Sequence, residues 1–165
     1  IGNKIWMDQN LNYATETSVC YDQQQFNCDE YGRLYAVVHL NTNDKSYCKL
    51  DYDILDTICP MGWRVPKLSE WFEMVDLMDG YDNFLNSLCM DNSIKTGYAF
   101  AEHGWTGDGS GYLSRHIDEK TIWITQSATE DGTMKSFEPT AAGGTDERTN
   151  GFFSLRCVKL NDFGI

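Results

Sequence analysis

The clearest pattern along the chain lies between residues 67 and 79. Leu68, Trp71, Phe72, Val75 and Met78 recur at the spacing of one face of an α-helix, with Glu70, Glu73 and Asp76 expected to face outward. Pro66 stands where a helix can begin, and Asp79-Gly80 supplies a stop. Lys67 and Leu68 offer no N-cap side chain, so Ser69 is the candidate cap of a shorter helix. A second, shorter helix is expected over 82–90, with Phe84, Leu85, Leu88 and Cys89 inward. Strands are expected at 1–7, at Thr121–Thr125, at Phe152–Val158 and at Lys135–Phe137, where β-branched and aromatic residues gather. The apolar run Tyr31–Val38 fits either a strand or a short helix. Thr15–Asp29 reads as a polar turn and 41–53 as loop. After residue 97, glycines at 97, 104, 107, 109, 111, 132, 143, 144 and 151 cut the chain into short pieces. With no repeat, heptad or linker, 1–165 reads as a single α+β domain.

Charge narrows the partners. Thirteen Lys/Arg against twenty-five Asp/Glu give a formal charge of −12, a field that repels phosphate backbones and anionic lipid surfaces. No nucleic-acid partner is expected. No apolar run reaches the roughly 18–20 residues of a membrane span, so no membrane insertion is expected either. The opening Ile1-Gly2-Asn3-Lys4-Ile5-Trp6-Met7 reads as a mature or trimmed end.

Six cysteines, at 20, 28, 48, 59, 89 and 157, suggest an oxidised framework and an extracellular or cell-surface setting. Cys20 and Cys28 are close enough in sequence to staple the polar turn between them. Zinc is disfavoured: there is no C-x-x-C pair, and His39, His103 and His116 are dispersed.

Four patches in order carry a family resemblance. They are Trp6-Met7 with Asn10-Leu11-Asn12-Tyr13; Cys20-Tyr21 with Asn27 through Tyr35; Cys59-Pro60-Met61-Gly62-Trp63-Arg64-Val65-Pro66 with Glu70-Trp71; and Trp123 with Ser127-Ala128-Thr129-Glu130, closing on Gly151 through Lys159. Together they resemble the Fibrobacter succinogenes major paralogous domain, a family of secreted bacterial surface domains. The resemblance implies a C-type lectin-like fold: paired terminal strands, helices beside them, and a long irregular region before the last strands. It implies that Trp6, Trp63, Trp71 and Trp123 are core, and that Cys20–Cys28 is the early disulfide. It also implies a long bridge, Cys59–Cys157, which leaves Cys48–Cys89 as the third pair; the competing set is Cys48–Cys59 with Cys89–Cys157.

The same fold is shared by formylglycine-generating enzymes, which work with a pair of late cysteines, whereas the late region here offers only Cys157. No nucleophile–base set stands out elsewhere, and Glu70 reads as a helix-surface or turn-bonding carboxylate, so no catalytic residue and no enzyme activity are expected. Lectins of the fold use calcium with a Glu-Pro-Asn-like loop and a Trp-Asn-Asp strand. Here Glu138-Pro139-Thr140 replaces the first, and Asn161-Asp162 lies beyond the last cysteine. Asp108, with Glu130 and Asp131 as helpers, is the one calcium candidate, and alone it is far short of six to eight oxygens. No cofactor or metal is therefore expected. Trp105, Tyr112 and Tyr98 flank the glycine-rich stretch as an aromatic platform for a sugar ring or a protein partner. The expected function is attachment, a surface-displayed module recognising a polysaccharide or a surface protein. The rival is a structural subunit or tip domain of a pilus-like fibre that contacts copies of itself.

Overall fold

The computed structural model describes residues 1–16, 18–36, 50–84, 98–101, 112–115, 122–138, 145–147 and 152–160, with 98–101, 112–115 and 145–147 as backbone only. In chain order the elements are a 3-10 turn at Tyr21–Gln23, α1 (Gln25–Tyr31), β1 (Leu34–Tyr35), α2 (Tyr52–Ile58), β2 (Trp63–Arg64), α3 (Leu68–Leu77), β3 (Tyr98–Ala101), β4 (Tyr112–Arg115), β5 (Lys135–Phe137), β6 (Thr145–Glu147), β7 (Phe153–Ser154) and β8 (Val158–Lys159). The architecture is mixed α+β with short antiparallel strand pairs: β1 with β7, β2 with β8, β3 with β4, and β5 with β6.

The two terminal segments do run side by side. Met7 N–H donates to Cys157 C=O at 3.1 Å, Lys159 N–H to Ile5 C=O at 2.8 Å, and Leu11 N–H to Leu155 C=O at 2.7 Å. The expected strand over 1–7 is cut short, because Lys4 N–H turns back onto Ile1 C=O and leaves only Trp6 bridged to Val158. Similarly, the expected closing strand is split in two. β7 pairs with β1 while β8 pairs with β2, so one segment serves two partners. Of the expected strand at Thr121–Thr125, Thr121 lies outside the described residues, and among the rest only Trp123 forms a β-bridge. Trp123 bridges Phe137 on one side and Ser154 on the other, which seats it between β5 and β7.

Two helices stand where loops were expected. α1 occupies the supposed polar turn, and seven residues are too few to be helical alone. It is held by burial of Asn27, Cys28 and Tyr31, by Asn27 Nδ2 donating to Tyr21 C=O at 2.9 Å, and by the Cys20–Cys28 disulfide. Gly32 ends it at φ +80; a Cβ there would lie 2.8 Å from Asn10 Cβ and 2.9 Å from Leu11 O. The ambiguous run after it is therefore helix end, then strand. α2 begins inside the expected 41–53 loop. Asp51 caps it, accepting from the N–H groups of Asp53 and Ile54 at 3.1 and 3.2 Å, and Leu55 and Ile58 are buried. Residues 81–84 open a further helical turn through Phe84 N–H to Gly80 C=O, and the rest of the expected 82–90 helix lies outside the described residues.

The cores explain the pattern. Leu11, Tyr35, Leu50, Leu55, Ile58, Val65, Ile122, Ile124, Met134, Phe153 and Leu155 form one cluster with Cys59 and Cys157 inside it. α3 covers a second, aromatic cluster. Trp71 stacks on Trp123 with ring centroids 4.7 Å apart and on Phe137 at 5.0 Å, and Trp6 tilts against it at 4.7 Å. Trp71 and Trp123 are fully buried as expected, whereas Trp6 and Trp63 are half-buried at the margins. Both described disulfides match expectation, with Cα–Cα distances of 5.1 Å for Cys20–Cys28 and 6.1 Å for Cys59–Cys157. That pairing removes the competing set built on Cys48–Cys59. Cys48 and Cys89 lie outside the described residues.

Candidate functional site

The expected binding residues fall on the β3–β4 hairpin and the chain it closes. Its register pairs Tyr98 with Arg115 and Ala101 with Tyr112. The segment 102–111, which carries Trp105 and Asp108, thus leaves from and returns to a single cross-strand pair. Trp105 and Asp108 lie outside the described residues. Cross-strand partners share a face, so 98, 100, 113 and 115 belong to one side of the ribbon and 99, 101, 112 and 114 to the other. Tyr98 and Tyr112 are therefore not brought onto one face. β4 runs beside the 3-10 turn of the Cys20–Cys28 loop, and β3 runs beside β7. The hairpin is thus seated on covalently fixed ground.

Two polar locks hold the scaffold, the first part-buried and the second buried. The first joins α3 to the segment after Trp123. Arg64 grips Glu70 with two parallel bonds, Nη1 to Oε2 at 2.7 Å and Nη2 to Oε1 at 2.6 Å. Lys67 N–H donates to the same Glu70 Oε2 at 2.7 Å. Glu70 is therefore buried, not outward as the helical pattern suggested, and of its two expected roles it takes the turn-bonding one. Burial alone would raise its pKa, but the guanidinium and the Lys67 N–H more than offset this and hold it below the usual value. The missing helix cap is supplied from elsewhere in the chain. Ser127 Oγ accepts from Leu68 N–H at 3.0 Å, 59 residues away in sequence, so Ser69 is not the cap. Gln126 completes the joint, its N–H donating to Pro66 C=O at 2.9 Å and its Nε2 to Val65 C=O at 2.7 Å.

The second lock is Asn10. Its Oδ1 accepts from Trp123 Nε1 at 2.9 Å and from Arg156 Nε at 3.3 Å, and its Nδ2 donates to Tyr31 C=O at 3.1 Å. Arg156 is buried, with its guanidinium carbon 5.9 Å from the Trp123 ring centre. One amide thereby ties the N-terminal segment, α1, the middle of the sheet and the closing strand together. No earlier signal marked Asn10, Arg64 or Ser127 as structural hubs; only their place in the four patches set them apart.

The family model described as the Fibrobacter succinogenes major domain matches residues 1–159. The chain belongs to this family. No curated protein and no solved structure matches it. The four patches that carry the resemblance hold most residues of the two locks, with Trp71, Trp123 and the two described disulfides among them.

The helpers assigned to a calcium site have other tasks or none in common. Asp131 accepts from Thr129 Oγ1 and from Thr133 N–H, which closes its own turn, and Glu130 is exposed beside it. Among the described residues no three His, Cys, Asp or Glu side chains gather as a metal site. Glu70 accepts three hydrogen bonds from Arg64 and Lys67, which bind it into the joint between β2 and α3.

Proposed function

We propose that this chain is an extracellular, surface-displayed bacterial attachment module that recognises a polysaccharide or a surface protein through the segment between β3 and β4. The observation that carries the reading is the closure of 102–111 at one cross-strand pair, by strands that run beside β7 and the Cys20–Cys28 turn in a chain held by two described disulfides and two polar locks. Loops presented on a rigid frame are where binding residues concentrate, and Trp105 supplies an indole that can stack on a sugar ring or fill a protein pocket. The disulfides favour an oxidising compartment. Paired terminal segments with flanking helices also favour a C-type lectin-like arrangement for the whole chain.

Binding to a polysaccharide or glycan array is the test, run on the native chain and on Trp105→Ala. Loss of binding in the variant, with an unchanged melting temperature, is the expected result. Binding unaffected by Trp105→Ala would move the site away from this segment. Concentration-dependent self-association in the absence of any glycan binding would favour the fibre-subunit reading instead.

A further inference from the structure

Met61 is the most exposed residue among the large apolar side chains of the described residues, with a relative accessibility of 101%. Its position is fixed. Trp63 N–H donates to Pro60 C=O at 2.9 Å, and Gly62 takes φ +83, as the third position of a type II turn requires. Leu160 N–H donates to Gly62 C=O at 2.8 Å, and Cys59, one residue before the turn, is bonded to Cys157. A Cβ added at Gly62 would meet nothing within 4 Å, so the tip stands clear of the body. The thioether is thus held out in water on a turn anchored at both ends. Among the other described methionines, Met74 and Met134 are 2% and 1% exposed, and Met7 and Met78 are half-buried.

We propose that Met61 is, among the described methionines, the preferred oxidation site, taking a small two-electron oxidant such as hydrogen peroxide. A sulfur lone pair attacks one peroxide oxygen, the S–O bond forms as the O–O bond breaks, and the departing hydroxide takes the remaining proton to leave as water. Sulfur loses two electrons and peroxide gains them. The product is a sulfoxide, which turns an apolar tip into a polar one and is open to enzymatic reduction. The tip's hydrogen bonds are all backbone, so the change stays on the surface the turn presents and does not reach the core.

The test treats the full oxidised-disulfide chain with limiting hydrogen peroxide and follows each methionine peptide by mass spectrometry. Met61 should gain one oxygen on the order of tenfold faster than Met74 or Met134, in line with exposure. The melting temperature of chain oxidised at Met61 should equal that of the untreated protein, and Met61→Leu should leave the slow rates at Met74 and Met134 unchanged. Equal rates at Met61 and the two buried methionines would overturn the proposal. So would a lowered melting temperature on oxidation at Met61.

Discussion

Replacing both Cys59 and Cys157 by alanine should destabilise the domain far more than replacing Cys20 and Cys28. The two bridges span sequence separations of 98 and 8. In the chain-entropy description, loops of these lengths restrict the unfolded chain by about 4.7 and about 2.5 kcal/mol respectively. The difference, about 2.2 kcal/mol, comes entirely from the logarithm of loop length. Both pairs bury sulfur. Cys28 and Cys157 are fully buried, Cys59 is 7% exposed and Cys20 is half-buried, so lost packing pushes the same way and only modestly. For a domain of this size the long bridge should be worth roughly 10–19 °C of melting temperature, and the short one about half that. Urea unfolding at equilibrium separates the causes. If the bridge acts through the unfolded state, the Cys59/Cys157 double variant should unfold with a steeper denaturant dependence, because its denatured chain is more open. A large loss of stability with an unchanged slope would refute the entropic account and assign the effect to packing. Equal losses for the two pairs would refute the loop-length argument outright.

Three further outcomes follow from the locks. Ser127→Ala should cost about 1 kcal/mol by stripping Leu68 N–H of its acceptor, while Ser69→Ala should be nearly silent; chemical denaturation of both variants decides between them. Because Glu70 titrates lower in the folded chain than in the unfolded one, its contribution is present above the unfolded value near pH 4.3 and is lost as pH falls through the lower folded value. The stability gap between the native chain and Glu70→Gln, about 1–3 kcal/mol at neutral pH, should therefore shrink on acidification below about pH 4, and a gap independent of pH would contradict the pairing with Arg64. Asn10→Ala should cost roughly 3 kcal/mol, since it removes the acceptor of Trp123 Nε1–H in a buried site together with one bond each to Arg156 and Tyr31 C=O, and thermal melts should show it.

Some of this fold was readable from spacing and some was not, and the division is physical. α3 declared itself because ten residues with one apolar face make a strong periodic signal. α1 and α2, at seven residues each, carry two turns apiece and lean on partners distant in sequence, so local pattern alone reads them as turn and loop. α2 did leave one local trace, Asp51 placed to cap Asp53 and Ile54 ahead of buried Leu55 and Ile58. Ser127 left none, because a cap supplied from 59 residues away has no spacing to recognise. Glu70 was assigned outward for the same reason. A carboxylate on a helix reads as solvent-facing unless the arginine that meets it is known, and Arg64 meets it only after the Val65-Pro66 segment turns the chain back.

The same division runs through the residues of the four patches. Asn10, Tyr31, Arg64, Glu70, Ser127 and Arg156 sit in the patches that identify the family, and each forms bonds that join distant segments. A buried polar network tolerates little change, because removing one member strands the others without water to replace it. Such residues specify one arrangement of the scaffold. Between Ala101 and Tyr112, β3 and β4 close segment 102–111 with a single cross-strand pair. On the proposed reading the binding chemistry is tested first at Trp105, within that segment.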